Sequence, residues 1–447
     1  MQRPRRSAVD WALDGWPLLL AAVLCAPLLA RPGYPFARDL AFVPRQPLTD
    51  AVIGLGDAAP RAVPVDALVS LASHVVDGGV LARVLLPLLL ASAGWGAHRL
   101  VRPLGTTARL AVAGFAVWNP YVVERLALGQ WALLAAYAAL PWLAAAADRW
   151  RRHRSRADLA AVVLWGAVAS ITPTGGVLAV LTVLVIGTWR PAVPVALLQL
   201  TWLLPSFLGA AGLTSDPDGV NAFGASGDGP GGVLVSLVGT GGIWDALSVP
   251  ASRESWWGVA TSVTVVVVVA LGWRGLRSMW GTCAVRALGL ALGGLVLAAL
   301  VATPDGTAAL RWLVTSVPGA GLLRDTQKYD AWWALLIACC LGVVVDRVVG
   351  AARRAGPEVV VSAALLAAAL PIVLLPDAPV VTWPTLDPVR LPPSLTAAAQ
   401  RVARDPADVV VLPWAAYRRF PWTHDLPASE PAVRMFDADV VADDSLV

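Results

Sequence analysis

The sequence predicts an all-α polytopic membrane protein. Hydrophobic residues make up 57% of the 447 positions and charged residues only 14%, whereas a soluble domain carries about a quarter charged residues. Leu, Val and Ala form runs whose lengths approach the ~20 residues that a spanning helix needs. Most arginines outside the last 70 or so residues fall in a few short segments between these runs. Composition, run length and charge placement therefore agree on a membrane-embedded helical bundle.

Eleven apolar runs predict about eleven transmembrane helices within residues 1–376. The first is read as an uncleaved helix rather than a signal peptide, because many more runs follow it. A small segment, 377–447, comes after the last run, and it is rich in proline with an acidic end. The runs lie at 14–30, 79–101, 107–118, 129–147, 158–172, 175–188, 191–210, 256–273, 284–302, 331–349 and 358–376.

Arginine placement orients these helices in a plasma membrane. Segment 148–156, "DRWRRHRSR", alone carries five arginines. Cytoplasmic loops carry an excess of Lys and Arg, so the sequence predicts a cytoplasmic N-terminus and, with eleven spans, an extracytoplasmic segment 377–447. The other predicted inner segments are "QRPRR", "HRLVRPLGTTAR", "WRGLRSMWGTCAVR" and "DRVVGAARR".

Several other site types find no support in the sequence. The four cysteines and four histidines are scattered, without the spacing of a metal site or a redox pair. The glycine-rich stretch "GASGDGPGG" at 224–232 lacks the lysine and the strand–helix context of a phosphate loop, so it is predicted to be a flexible loop. No nucleic-acid partner is predicted.

The first predicted outer loop, 31–78, contains the first candidate site. It holds an Arg38–Asp39 pair among aromatic and aliphatic residues. A carboxylate at the membrane surface could act as a general base, and Arg38 could hold it ionised or bind a phosphate. The same pair also fits an ordinary ion pair at a helix end. The other acids of this loop are Asp50, Asp57, Asp66 and Asp77.

A second candidate is the stretch "WNPYVVERLALGQW" at 118–131. It carries Glu124, Arg125 and Gln130 between two apolar runs. These side chains could line an outer wall that binds a polar ligand. The alternative is an interfacial helix whose aromatic residues form a belt at the membrane boundary.

A third candidate is "LLRDTQKYD" at 322–330. Arg324 and Lys328 are four residues apart, so they would share one face of a helix, and Asp325 and Tyr329 repeat that spacing. Two cations on one face could clamp a phosphate at headgroup depth. The alternative is that both are cations that snorkel from a helix end.

Together with "RDLAFVPRQPLTDAVIGLGDAAPRAVPVDAL" and "SITPTGG", these stretches resemble GT-C glycosyltransferases of actinobacteria. The chain is most similar to the membrane core of mycobacterial arabinofuranosyltransferases, and the likeness extends over most of residues 1–350. The resemblance implies a GT-C-like fold and an acidic catalytic residue in the first outer loop, which by position is Asp39, with Asp50 or Asp66 as fallbacks. This chain has "RD" where such families often have two adjacent acids, and its tail is much shorter.

The resemblance also implies a reaction. A sugar, arabinofuranose or mannose, would pass with inversion from a polyprenyl-phosphate donor to a cell-envelope glycan or glycolipid. It implies no certain cofactor and leaves a divalent cation open, although no metal-ligand spacing is present. The residues assigned to the donor phosphate are Arg324, Lys328, Arg38 and Arg125, and those assigned to substrate binding are Glu124, Gln130, Asp325 and Tyr329.

Two other function classes fit the same features. A transporter or flippase for a lipid-linked sugar would use the same basic clamp, but it would carry more polar groups in the middle of its helices. A non-catalytic membrane scaffold would use the C-terminal segment to bind its partners. The nearly uncharged runs favour chemistry at the surface over passage through the bundle.

Overall fold

The computed structural model of the chain describes residues 8–56, 62–208, 215–404 and 407–443. The predictions that involve Asp57 and the basic segment 2–6 lie outside these residues. The described chain is mainly helical, as the composition predicts, with a few short strands.

The first part of the chain alternates long apolar helices with short elements. Helix starts follow local signals: the Asp77 carboxylate accepts hydrogen bonds from the backbone N–H groups of Gly79 and Val80, and Asn119 caps the helix that begins at Pro120. The elements are α1 (Ala8–Leu24), α2 (Ala26–Ala30), β1 (Tyr34–Ala37), β2 (Leu40–Ala41), α3 (Asp50–Ile53), α4 (Val65–Ser73), α5 (Gly78–Leu100), α6 (Thr106–Val117), α7 (Pro120–Ala127) and α8 (Trp131–His153).

The middle of the chain contains two of the longest helices and several short ones. A π-helical turn, Val183–Gly187, continues the tenth helix, and a 3₁₀ turn covers Ala246–Ser248. The helices are α9 (Arg156–Ala169), α10 (Pro173–Thr182), α11 (Trp189–Leu197), α12 (Leu200–Leu208), α13 (Gly219–Ala222), α14 (Gly232–Val238), α15 (Trp256–Trp280) and α16 (Thr282–Val301).

The last part begins with helices and ends in mixed structure. Three 3₁₀ turns lie at Ala320–Leu323, Thr326–Asp330 and Pro421–Thr423. The other elements are α17 (Pro304–Ser316), α18 (Ala331–Ala352), α19 (Pro357–Leu374), α20 (Ala378–Leu386), β3 (Pro388–Val389), α21 (Pro393–Arg404), β4 (Val409–Val410), β5 (Tyr417–Arg419), β6 (Pro427–Ser429), α22 (Ala432–Met435) and β7 (Val440–Val441).

All eleven predicted apolar runs contain helix, but fewer are long enough to cross a bilayer unaided. Among the described residues, six helices have the length and composition of a span, or seven if the bent pair α11 and α12 counts as one. The count of about eleven spans is therefore not confirmed. The shortfall has local causes: α6 and α9 have only 12 and 14 residues, and Thr188 in extended conformation separates the π turn from α11.

Helices α5, α6, α8 and α18 form the centre of the largest hydrophobic core. Alanine and glycine allow close approach between them: a Cβ added at Gly342 of α18 would lie 2.5 Å from Val112 of α6. Tight packing of this kind is typical of helix contacts in membranes, where small residues let backbones approach. The core fixes how the ends of α8 and α18 lie relative to each other.

The bundle has two chemically different ends. Helices α8 and α18 both begin beside the hairpin formed by β1 and β2, which we call the hairpin end. The 23 residues of α8 extend about 35 Å at ~1.5 Å per residue. Its last turn carries Arg151, Arg152 and His153, so we call that side the arginine end.

The C-terminal segment contacts the loop that follows α1 and α2. Strand β3 pairs antiparallel with β1, with Tyr34 opposite Val389, and the order of this sheet is β2-β1-β3. Strands β5 and β6 form an antiparallel pair whose Ala428 bridges to Arg38. Strands β4 and β7 pair in parallel. Helix α20 packs on α7, where the Thr385 hydroxyl donates to the Ala127 carbonyl (2.6 Å).

Candidate active site

Asp39 lies at the tip of the β1–β2 hairpin. Phe36 pairs with Ala41 and Ala37 with Leu40, which leaves Arg38 and Asp39 as the turn. Arg38 adopts a left-handed backbone conformation with φ 55°, which is uncommon for a residue with a side chain. The Arg38 N–H donates to the Pro427 carbonyl (2.6 Å), and the Asp39 N–H donates to the Leu128 carbonyl (3.2 Å). The turn is thus fixed by two segments distant in sequence.

Both carboxylate oxygens of Asp39 accept a hydrogen bond. The Tyr417 hydroxyl donates to Oδ1 (2.5 Å), and the Gln130 amide donates to Oδ2 (3.2 Å). Tyr417 belongs to the C-terminal segment, and Gln130 is the residue immediately before α8. The Asp39 side chain is half-buried, so it is oriented from two sides and still accessible to a reactant.

Gly129 makes the close approach of α7 and the hairpin possible. It has φ +86°, and a Cβ there would lie 2.4 Å from the Leu40 nitrogen. A side chain at this position meets two obstacles: a backbone conformation that L-residues avoid, and backbone atoms that cannot move aside.

We therefore expect Gly129→Ala to displace the Asp39 hairpin. The substitution should lower the thermal unfolding midpoint, because a left-handed non-glycine residue costs about 1–3 kcal/mol and the contact with Leu40 adds to that cost. Thermal unfolding in detergent measures the effect. Gly289→Ala is the matched control, since nothing lies within 4 Å of a Cβ there, and an equal midpoint shift in both variants would contradict the prediction.

Arg125 connects Gln130 to the segment that precedes α18. Its guanidinium donates to Gln130 Oε1 (2.7 Å) and to both oxygens of Asp325 (2.7 and 2.9 Å). It also donates to the Gln327 side chain. The Arg125 side chain is fully buried. A buried charge needs a partner, and the two-point contact with Asp325 provides one.

The electrostatics of this pair follow from its burial. Burial by itself favours the neutral form of Asp325, but Arg125 and then Lys328 more than offset it and lower the pKa of Asp325 to about 2. Burial likewise disfavours the charge of Arg125, yet Asp325 keeps its pKa above the ordinary value. Both groups are therefore ionised across the neutral range.

Lys328 is the accessible cation of this cluster. Its ammonium lies 3.4 Å from Asp325 Oδ2, and 23% of its side chain is exposed, against 5% for Asp325. The Tyr121 hydroxyl donates to the Lys328 carbonyl (2.9 Å) and fixes the backbone there. The Asp39 carboxylate also interacts electrostatically with the Lys328 ammonium. The structure thus brings Asp39, Gln130, Arg125, Asp325 and Lys328 together at the hairpin end.

The other two predicted phosphate-binding cations have different surroundings. Arg38 is buried and forms an ion pair with Asp245, and it also donates to the Ser248 hydroxyl (2.5 Å). The guanidinium of Arg324 stacks over the Phe223 ring, 4.9 Å from its centroid. Residues 320–323 and 326–330 form separate 3₁₀ turns rather than one α-helix, so the i, i+4 spacing does not give Arg324 and Lys328 a common helical face.

Glu124 belongs to a second buried cluster beside the first. Neither of its carboxylate oxygens has a hydrogen-bond partner of normal geometry, although the Ile243 backbone N–H is close enough to favour the ionised form. Asp228 and Arg253 lie next to it and form a buried ion pair (3.0 Å). Burial, and then the Asp228 carboxylate, raise the pKa of Glu124 well above its ordinary range, and Arg253 and Arg125 only partly oppose them.

This environment predicts a pH-dependent stability. A carboxyl group whose pKa is raised by folding binds more protons in the folded state than in the unfolded one. Its contribution is complete below the ordinary Glu pKa of 4.5 and is lost as the pH rises towards the folded-state pKa. In that interval the free energy of unfolding should fall by about 1.4 kcal/mol per pH unit for one proton.

Unfolding by denaturant at pH 5, 6 and 7 tests this, with Glu124→Gln as the comparison. Because a neutral amide resembles the protonated acid, the variant should show a flatter pH profile than the native chain. Asp228 also has a pKa raised by burial, so part of the slope should persist. If the free energy of unfolding changed equally with pH in the two proteins, the raised pKa of Glu124 would be contradicted. Asp325 does not contribute to this slope between pH 5 and 7. Its pKa is lowered to about 2, so the stability that it contributes is lost only as the pH falls from about 4 to about 2.

In the part of the chain that the structure describes, no hydrogen bond or ion pair joins the remaining predicted residues to Asp39. Asp50 is exposed at the start of α3. Asp66 forms an ion pair with Arg434 of the C-terminal segment (2.7 Å). Tyr329 is buried, and its hydroxyl has no hydrogen-bond partner. In the described ranges, no three His, Cys, Asp or Glu side chains are grouped closely enough to hold a metal ion.

Three features of the site escaped the sequence analysis. Tyr417 was not singled out, because nothing local connects "AAYRRF" with a loop almost 380 residues earlier. Asp245 was not recognised as the partner of Arg38. The glycine-rich stretch 224–232 is a loop as far as Gly231, but its contacts were not foreseen: Asp228 within it accepts from the Gly242 N–H (2.8 Å) and pairs with the buried Arg253. The alternation of Gly with Ser and Asp reflects close backbone packing there.

Comparison with solved structures relates this geometry to a known fold. The cryo-EM structure of arabinofuranosyltransferase AftD from mycobacteria matches the chain with a TM-score of 0.52 and 16% sequence identity. In fold, the chain resembles an arabinofuranosyltransferase. The match with AftD covers 98% of this chain and 32% of AftD, so the chain spans about a third of the length of that enzyme. The expected resemblance to a GT-C enzyme is confirmed at the level of the fold. No protein-family model and no curated protein sequence matches the chain.

Proposed function

We propose that the chain is a membrane glycosyltransferase that moves a sugar from a polyprenyl-phosphate donor to a cell-envelope glycan or glycolipid. One observation carries the proposal: Asp39, a half-buried acid, and Lys328, an accessible cation, meet at one end of a bundle that resembles AftD in fold. A polyprenyl-phosphate sugar presents the complementary groups, a phosphate beside a reactive anomeric carbon and a tail for the bilayer. We infer that the hairpin end is extracytoplasmic, because the arginine end carries the positive charge expected on the inside.

Asp39 acts as the general base in this mechanism. It takes the proton of the acceptor hydroxyl while that oxygen forms a bond to the anomeric carbon. The bond between the anomeric carbon and the phosphate oxygen breaks on the opposite side, which inverts the configuration. Gln130 and Tyr417 hold the two carboxylate oxygens in place. Proton removal by a positioned side chain typically contributes about 10²–10⁴-fold to the rate.

Lys328 stabilises the departing polyprenyl phosphate. It is the cation of the Asp325 cluster whose side chain is partly exposed, and a charge placed where negative charge develops lowers the barrier. Arg125 and Arg38 are less suited to direct contact, since each is buried and paired with an aspartate. Arg125 instead fixes Asp325, which in turn orients Lys328. Arg324, on the adjacent turn, extends the positive potential towards Phe223.

The four residues predicted to bind the substrate also divide into one that can contact it and three that are buried. Gln130 contacts Asp39 directly and stands at the edge of the proposed site, where it can also bind a sugar hydroxyl. Glu124, Asp325 and Tyr329 are buried, so they support the site from behind rather than contact the sugar. The sugar itself, arabinofuranose or mannose, must be recognised by groups on the accessible side of Asp39.

Transport of a lipid-linked sugar is the competing function. The buried charged groups described above gather at the hairpin end, and all of them except Glu124 are paired there, whereas the central parts of α5, α16 and α18 contain apolar and small residues. A path through the bundle would need polar groups along its length. The distribution of charge therefore favours glycosyl transfer at one surface.

The deciding experiment uses the full chain in lipid nanodiscs and in sealed vesicles. Radiolabelled polyprenyl-phosphate arabinofuranose and polyprenyl-phosphate mannose are supplied with an extract of cell-envelope glycans and glycolipids. Release of polyprenyl phosphate together with label on the acceptor is the expected result for one of the two donors. Movement of intact donor across the vesicle membrane without release would assign transport instead. If the chain neither releases polyprenyl phosphate from the two donors nor moves them across the membrane, the result would favour a non-catalytic scaffold.

A further inference from the structure

The arginine end contains a cavity of about 300 Å³ that the glycosyl-transfer proposal does not use. It lies between α8, α16, α18, the end of α5 and the π-helical turn. It follows α8 from Leu140 to His153, which corresponds to about 20 Å along the helix axis. Its volume is at the lower end of the range for small-molecule sites, about 300–1,000 Å³.

The inner part of the cavity is apolar. Leu140, Leu290, Leu335 and Leu336 line it together with Trp332. The one hydroxyl at this depth, that of Thr182, accepts from the Trp332 indole N–H (2.9 Å) and donates to a backbone carbonyl (2.7 Å). Its hydrogen bonds are therefore made within the protein. An occupant of this region gains from burying apolar surface and needs no polar group there.

The opening of the cavity is positively charged. Arg99, Arg149, Arg152 and His153 line it, with Asp148 as the accompanying acid. Even with histidine neutral, three arginines face one carboxylate. A cavity with a cationic opening and an apolar interior matches a molecule with an anionic head and a hydrocarbon chain.

The ion pairs at the opening can rearrange at low cost. Arg149 pairs with Asp158 (3.0 Å) and Arg152 with Asp148 (2.7 Å), but half of each arginine side chain is exposed, 50% and 53%. Exposed pairs of this kind contribute little to stability. When either guanidinium turns towards a phosphate, its carboxylate keeps a partner: Asp148 keeps Arg151 (2.7 Å), and Asp158 keeps the Ser155 hydroxyl (2.6 Å).

We propose that this cavity binds one anionic phospholipid from the bilayer leaflet at the arginine end. The phosphate lies between Arg149 and Arg152, and one acyl chain extends along α8 towards Trp332. The chemistry of the lining carries this inference independently of any reaction at the hairpin end. The lipid would pack against α8, whose other end follows Gln130, and against the first half of α18, which begins shortly after Lys328.

The test is native mass spectrometry of the full chain in detergent, titrated with phosphatidylglycerol or with phosphatidylcholine of identical acyl chains. Two changes address the two parts of the cavity. Ala144→Trp fills the apolar interior, and the double substitution Arg149→Gln/Arg152→Gln removes charge from the opening. Ala160→Trp on α9 and Arg353→Gln at the end of α18 are controls, since both residues are exposed and neither lines the cavity.

We expect the native chain and both controls to retain one phosphatidylglycerol and to bind phosphatidylcholine more weakly. The double arginine variant should lose about 25-fold in affinity for phosphatidylglycerol, since each arginine near an anionic lipid contributes about fivefold. Ala144→Trp should lose the tightly bound lipid while keeping its thermal unfolding profile. Equal binding of the two lipids, or unchanged retention in both cavity variants, would overturn the proposal, even if the donor assay at the hairpin end succeeded.

Discussion

Asp39→Asn is expected to reduce glycosyl transfer by about 10²–10⁴-fold, the usual contribution of a general base. Asparagine has nearly the same shape as aspartate: its carbonyl oxygen can still accept from Gln130 and its amide can donate to the Tyr417 hydroxyl, but it cannot take a proton from the acceptor hydroxyl. The change should therefore appear in kcat and leave the apparent affinity for the donor nearly unaltered. Initial rates with a labelled polyprenyl-phosphate sugar measure it.

Asp50→Asn is the matched control for this prediction. Asp50 is an acid of the same loop, but it is exposed at the start of α3 and should tolerate the change with ordinary activity. Thermal unfolding of both variants separates a chemical effect from misfolding. Ordinary turnover by a folded Asp39→Asn protein would show that Asp39 is not the general base. Loss of turnover in a folded Asp50→Asn protein would assign that role to Asp50 instead.

Arg125→Met is expected to be the most destabilising of the charge-removing substitutions at the site. It leaves the buried Asp325 carboxylate with Lys328 as its remaining ion-pair partner and removes four hydrogen bonds made by the guanidinium. Breaking a buried ion pair by removing one partner costs about 3–5 kcal/mol. Tryptophan fluorescence during denaturant unfolding in detergent measures the loss.

Arg311→Met provides the comparison. Arg311 also pairs with an aspartate, Asp218, at 2.7 Å, but the two side chains are 37% and 62% exposed. An exposed pair contributes about 0–1 kcal/mol, so this variant should unfold close to the native chain. The double variant Arg125→Met/Asp325→Leu should recover part of the stability that Arg125→Met loses, because it also removes the buried carboxylate that has lost its two-point contact with Arg125. Equal destabilisation by Arg125→Met and Arg311→Met would show that burial does not determine the strength of the first pair.

Local sequence patterns predicted the helices well and their lengths less well. Every apolar run contains helix among its described residues, because the hydrophobic content of such runs persists over several turns. The predicted span count is not confirmed where an extended residue interrupts a run, as at Thr188. Whether a 12-residue helix such as α6 lies within the bilayer depends on its neighbours in the bundle, and a single run does not contain that information.

For the site, sequence patterns identified many of the participants but not their partners. Asp39, Arg125, Gln130, Asp325 and Lys328 stood out because charged and amide groups are expensive next to long apolar runs. Which acid meets which base depends on contacts across hundreds of residues. The left-handed turn at Arg38 illustrates this limit, since its direction depends on Pro427 and on a loop around Asp245, neither of which is near it in the chain.

The pairing of β1 with β3 has a consequence for biogenesis. A strand at residues 34–37 finds its partner at 388–389, and the tyrosine that orients Asp39 comes later still. During synthesis the helical bundle can therefore be inserted almost completely while the hairpin still lacks one edge. A ribosome-bound or truncated chain that ends before residue 388 could insert most of its helices, but the Asp39 hairpin would lack both its β3 neighbour and the Tyr417 hydroxyl.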